Sequence, residues 1–153
     1  IGDKHVPLIH NVMNTDYVVG VSDEATNNLN LLFNTDEGKK YLKNRKGFDA
    51  DFVNRLPEFG FSSIANIIAS IKLAKKMKLT KNDAIITVAT DGADLYETEL
   101  AKTKQQFNKI YDQITCAEIF AKNFEAITVD HTLELNQIEK ERIFNLGYYT
   151  WVE

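Results

Sequence analysis

A chain of 153 residues is long enough for one domain with a buried core, and 44% apolar with 26% charged residues is an ordinary globular composition. The net charge of −4 weighs against nucleic acid or an anionic membrane as the main partner, since both reward a basic face. No apolar run approaches the length of a membrane span, and the single Cys116 excludes an internal disulfide and fits a reducing cytoplasm, the expected compartment.

Ile1-Gly2-Asp3-Lys4 carries no start signal, so the chain is expected to be a piece of a longer protein. Residues 1–14 hold His5, His10 and a proline and read as a loop or a short helix. Tyr17-Val18-Val19-Gly20-Val21 is a β-branched run and predicts a buried strand. Ser22 then caps a helix whose Ala25, Leu29, Leu32 and Phe33 share one face. Asp36 to Asn44 is a short charged helix, and Asp51 to Leu56 is another, closed by Pro57.

Gly60-Phe61-Ser62-Ser63 is a small-residue turn in which Ser62 or Ser63 is placed to cap a helix from Ile64 to Leu79. Its Ile64, Ile67, Ile68, Ile71, Ala74 and Met77 recur at helical spacing, while Lys72, Lys75, Lys76 and Lys78 read as a solvated face toward the C-terminal end. Ala84 to Ala89 is a second strand, and its continuous apolar character predicts burial on both faces, as in a parallel sheet. It runs into Thr90-Asp91-Gly92, either a crevice wall or a turn with Gly92 at positive φ. Further helices are predicted over Leu95–Tyr111, Thr115–Phe124 and Leu133–Leu146, followed by the aromatic cluster Tyr148, Tyr149 and Trp151, expected in a core or a subunit interface. The expected class is α/β, with an open, mostly parallel sheet. Two strands do not satisfy such a sheet, so its other strands are expected from upstream residues or another chain.

Candidate chemistry is sparse. His5 and His10 are too far apart for one helical face and lack a third ligand, which argues against a metal. His131, beside Asp130 and near Glu134, reads as helix-start chemistry rather than a catalytic dyad. Cys116 has no cationic neighbours in sequence to activate it and is expected to be buried and inert. No lysine has the surroundings that a reactive amine needs. What remains is the serine pair, whose hydroxyls and backbone N–H groups at a helix N-terminus suit a ring nitrogen or a phosphate.

Gly60-Phe61-Ser62-Ser63, then Ala65 and Ile71-Lys72-Leu73-Ala74-Lys75, resembles the Gly-Ile-Ser-Ser-Gly-Ala-Ala and Leu-Lys-Leu-Ala segment of the cysteine synthase group. These are fold-type II pyridoxal-phosphate enzymes, together with tryptophan synthase β and cystathionine β-synthase. Ile85 to Tyr96 is similar to their buried strand and Pro-Asp-Ser-Gly-Glu-Arg-Tyr turn, with Asp91, Asp94 and Tyr96 in place. Ile1-Gly2 and Val21-Ser22-Asp23-Glu24-Ala25 are similar to their Gly-Ile-Gly loop and Val-Ser-Asp-Glu-Ala helix start. The resemblance covers residues 1 to about 100. The tail, with Asp130–Leu135 and Asn145–Glu153, resembles a bacterial branch of pyridoxal-phosphate-dependent β-subunit proteins.

The resemblance implies the C-terminal part of a tryptophan-synthase-β-like fold: residues 1–112 as part of the cofactor-binding domain and residues 113–153 as a helical extension. It implies pyridoxal 5'-phosphate as cofactor and α,β-elimination or β-replacement on a small amino acid, or else a thiolase or threonine-synthase-like activity. Ser62 or Ser63 would hydrogen-bond the pyridine nitrogen, with Thr90 as the rival, and Gly60, Asp91 and Gly92 would complete that wall. The Schiff-base lysine and the Gly-rich phosphate loop are expected upstream, so the chain holds no catalytic residue and is inactive alone. The implied partners are the N-terminal half of the same enzyme and a second copy in a homodimer. Two positions depart from the family: Ile64 stands where glycine is usual, and Thr90-Asp91-Gly92-Ala93 replaces Pro-Asp-Ser-Gly. The reading from another class is a non-catalytic helical binding or assembly module, in which the serines only cap.

Overall fold

The computed structural model describes residues 10–107 and 110–152. His5 and the Ile1-Gly2 element of the resemblance lie outside the described residues. Among them the chain forms seven α-helices and one two-stranded antiparallel ribbon. The open, mostly parallel sheet is therefore overturned.

Helix α1 (Asp23–Asn34) is the centre of the structure. Ser22 caps it as expected, its side chain accepting from the Glu24 N–H at 3.2 Å. From Asn28 to Phe33 every residue is buried, more than the single apolar face of Leu29, Leu32 and Phe33 requires. A helix covered on all sides needs its polar residues satisfied: Asn30 accepts from Asn34 Nδ2 at both its backbone and side-chain oxygens. Around α1 pack α2 (Asp36–Asn44), α4 (Phe61–Met77), α5 (Glu97–Gln106) and α6 (Gln113–Phe120), with α3 (Ala50–Arg55) against α2. Tyr41, Leu42, Val53, Leu56, Ile64, Ile68, Ile119 and Phe120 join α1 in one core.

Thr35 makes the turn between α1 and α2. Its hydroxyl donates to Leu31 O at 2.8 Å and accepts from the Gly38 N–H at 3.3 Å, closing one helix and opening the next. Tyr111 OH lies 3.2 Å from the same oxygen. Burial pushes the Tyr111 phenol well above its ordinary value. Cys116 is buried as expected, and burial likewise raises its thiol.

The strand expected at Tyr17 is present but shorter and less buried than expected, and the one expected at Ala84 is corrected. Tyr17–Val19 (β1) is only half-buried and pairs antiparallel with Thr132–Glu134 (β2), in the register Tyr17↔Glu134, Val18↔Leu133, Val19↔Thr132. Residues expected to begin a helix at Leu133 are thus a strand, and α7 (Gln137–Trp151) starts after it, capped by Asn136. His131 belongs to the turn before β2, with φ of 54°, not to a helix start. Ala84–Ala89 forms no helix or strand and joins no ladder among the described residues, and Ile86 is 96% and Val88 64% exposed. Its apolar sequence predicts burial, but burial of a strand needs neighbouring strands, and the only described ladder lies elsewhere. The aromatic cluster of α7 is likewise exposed at Tyr148, Tyr149 and Trp151, outside the described core.

An apolar stretch that pairs with no described strand is a template for pairing. The chain is therefore expected to associate as its concentration rises, and Ile86→Lys is expected to shift it toward monomer. Sedimentation velocity checks this, and a monodisperse wild type with a sharp melt contradicts it.

Candidate functional site

The described structure brings the two expected motifs into contact. Helix α4 opens at Gly60, which is its N-cap, so Phe61, Ser62 and Ser63 form its first turn. The serines therefore do not cap, which removes the plainest reading of them. The Gly60 N–H donates to Asp91 O at 2.7 Å, and the Thr90 N–H donates to Ser63 Oγ at 3.1 Å. These two bonds staple the loop 90–92 across the helix N-terminus. Phe61 stacks on Tyr96 with ring centroids 4.5 Å apart, adding an apolar clasp. A third tie lies one turn further, where Asn66 Nδ2 donates to Val88 O at 2.9 Å.

Gly60 is required here by space, not by dihedral angle. A Cβ at this position would lie 2.7 Å from Asp91 Oδ1, 2.8 Å from Asp91 O and 2.9 Å from Tyr96 Cε2. Gly92 is less tightly confined: an added Cβ would meet the movable Asp94 Oδ1 at 2.8 Å and the Pro57 O at 3.3 Å, and its φ of −92° corrects the expected left-handed turn.

Asp91 is the electrostatic centre. The Tyr96 hydroxyl donates to Oδ2 and the Thr90 hydroxyl donates to Oδ1 at 2.8 Å. These bonds, that from Tyr96 foremost, hold the carboxyl below its ordinary value and raise the Tyr96 phenol. A carboxylate with a lowered folded-state value contributes stability above its unfolded value, and this is lost as pH falls through the folded value. Asp91→Asn is thus expected to melt below wild type at pH 7, with the gap closing on acidification below about pH 4. A gap independent of pH across that range contradicts the assignment.

The six expected residues divide by access. Ser63 is 2% exposed and its oxygen is engaged by Thr90, so it serves the staple. Ser62 is partly buried and Thr90 exposed, the Thr90 hydroxyl donating to Asp91 Oδ1, so these two residues are the accessible ones of the corner. Gly60 and Gly92 admit the close approach of backbone, and Asp91 orders the loop. The corner can present neutral hydroxyls beside a helix N-terminus; it holds no nucleophile–base pair.

The lysine face is corrected at one position. Lys72 is 8% exposed, and its Nζ donates to Gly20 O and Asp130 O at 3.0 Å and to Asp130 Oδ1 at 3.3 Å. The Thr128 hydroxyl and this ammonium hold the Asp130 carboxyl below its ordinary value. Three oxygen acceptors commit Lys72 to tying α4 to the ribbon. Asn66, a polar position within the apolar repeat of α4, carries no signal in the sequence reading, and Lys72 is the position there read as solvent-facing.

Among the described residues, no helix is long and apolar enough to cross a membrane. Comparison with protein-family models, with curated proteins and with solved structures finds no match to this chain.

Proposed function

We propose that this chain contributes the pyridine-side wall of a site for pyridoxal 5'-phosphate, in a cytoplasmic enzyme that eliminates or replaces the β-substituent of a small amino acid. The observation that carries the reading is the joining of Gly60–Ser63 to Thr90–Asp91. These motifs lie about thirty residues apart in sequence, and the resemblance assigns both to the same cofactor edge. The corner fits that group in its donor chemistry: Ser62 offers an uncharged hydroxyl, Thr90 offers one only on turning away from Asp91 Oδ1, and the first turn of α4 offers the positive end of its dipole. The cofactor, when bound, supplies an electron sink for reaction at the substrate's α-carbon.

A neutral hydroxyl at the pyridine nitrogen leaves that nitrogen without a proton, which keeps the electron sink moderate and suits β-chemistry. Ser63 fixes the distance between helix and loop, and Asp91 holds Thr90 in place through its hydroxyl. The cofactor-bearing lysine and the phosphate-binding loop belong to a companion segment, the N-terminal half of the same enzyme. Lys72 is already committed to three oxygens and does not serve in that role.

The test compares Ser62→Ala and Thr90→Val in the chain reconstituted with its companion segment. One of the two is expected to shift the visible absorption band of the bound cofactor while the fold, read by circular dichroism, is kept. A band unchanged in both folded variants contradicts the assignment.

A further inference from the structure

The core around α1 is not closed. A cavity of about 310 Å³ lies between α1, α2, α3, α4 and the segment after α6, and eleven side chains line it, all leucine, isoleucine or phenylalanine. Six of them, among them Phe33, Phe52, Phe59 and Phe124, belong to the nine phenylalanines of the whole chain. Protein interiors are packed as densely as organic crystals and hold few voids larger than a water molecule. An apolar cavity of about 150 Å³ stays dry and takes up benzene. The present cavity is about twice that size, and Phe48 and Phe52 line it while remaining exposed, which gives it a way in from solvent.

We propose that this cavity is a binding site for an uncharged aromatic small molecule of about two fused rings. The chemistry of the wall selects the class. With no polar atom facing inward, a ligand amide, hydroxyl or charge would enter without a hydrogen-bond partner, which excludes peptides and polar metabolites. Lys46, 4.4 Å over the Phe120 ring of the wall, is already paired with Glu125, so a carboxylate binding there would have to displace a carboxylate. The rings already present meet at 5.3 Å (Phe120 with Phe124), 5.9 Å (Phe48 with Phe52) and 6.2 Å (Phe48 with Phe120), in tilted geometries. A flat aromatic guest extends that arrangement, since rings favour offset and tilted contacts. The site is independent of the Gly60–Asp91 corner and stands or falls without it.

The probe is 1-fluoronaphthalene, titrated into the full chain and followed by fluorine NMR. Saturable binding with a dissociation constant in the micromolar range is expected. Ile67→Phe and Phe124→Trp, which fill the cavity from two different sides, are each expected to weaken binding at least tenfold and to raise Tm. Failure of the folded wild type to bind saturably overturns the proposal. So does undiminished binding to either variant once circular dichroism shows it folded.

Discussion

Gly38→Ala is expected to unfold this protein or lower its Tm steeply, although alanine is the better helix former. Gly38 sits in the first turn of α2 where that helix crosses α1, and a Cβ there would lie 1.9 Å from Leu32 O, 2.7 Å from Leu32 C and 2.9 Å from Leu32 Cα. All three are backbone atoms, so no rotamer change relieves the clash. Only a shift of α2 does, and that shift drags Tyr41 and Leu42 out of the core. Overpacking of this kind costs about 3 kcal/mol or more, against which a helix-propensity gain of about 1 kcal/mol is minor. At roughly 2–4 °C per kcal/mol, the net loss is a Tm drop of at least about 4–8 °C. Gly147→Ala supplies the opposite sign. It lies within α7 with nothing within 4 Å of its added Cβ, and is expected to gain about 0.5–1 kcal/mol. Thermal melts of the two variants check both; a Gly38→Ala chain as stable as wild type would show that α1 and α2 do not touch as described.

Lys72→Met is expected to release the ribbon from α4. Methionine keeps the apolar stem but removes the ammonium that donates to Gly20 O, Asp130 O and the Asp130 carboxylate. Hydrogen bonds from a charged donor contribute about 1.5–3 kcal/mol. The Asp130 carboxylate is more than half exposed, so its share is screened and the expected loss is about 1–2 kcal/mol. Asp130→Asn is expected to cost less, because both carbonyl acceptors remain. The local signature is hydrogen exchange. The Gly20 N–H bonded to His131 O and the Leu135 N–H bonded to Asp16 O are expected to lose protection, while the Ile64 N–H bonded to Gly60 O keeps its own. Equal protection in wild type and Lys72→Met contradicts a tying role for this lysine.

The helices were largely legible because their signals are local. Ser22 capping α1, the span of Asp36–Asn44 and the isoleucine repeat of α4 all follow from neighbours within a few residues. Lys72 was legible in principle. It stands four residues beyond Ile68 and eight beyond Ile64, on the same buried stripe, and its charge alone argued for solvent. The N-cap of α4 was misplaced because Ser62 and Ser63 have the right chemistry, while Gly60 has the right space beneath Asp91 and Tyr96. Of the strands, the one at Tyr17–Val19 was legible in its β-branched run, but its setting was not. Tyr17–Val19 pairs with a segment more than a hundred residues away, and no local pattern names such a partner. Ala84–Ala89 carries the composition of a doubly buried strand without a described partner strand, so composition and environment disagree. For the candidate site, the two motifs were readable one by one; the staple that joins them, from Gly60 N to Asp91 O and from Thr90 N to Ser63 Oγ, is a tertiary fact. The aromatic cavity was invisible for the same reason, since its phenylalanines are scattered from residue 33 to residue 124.

The most direct measurement is reductive labelling with pyridoxal phosphate. The cofactor is added to the chain alone and to the chain mixed with the companion segment proposed above, and both are treated with borohydride and mapped by peptide mass. The expected result is no single labelled lysine in the chain alone, and one stoichiometric label on the companion in the complex. Capture of one lysine of this chain, or a complex that takes up no cofactor, contradicts the account.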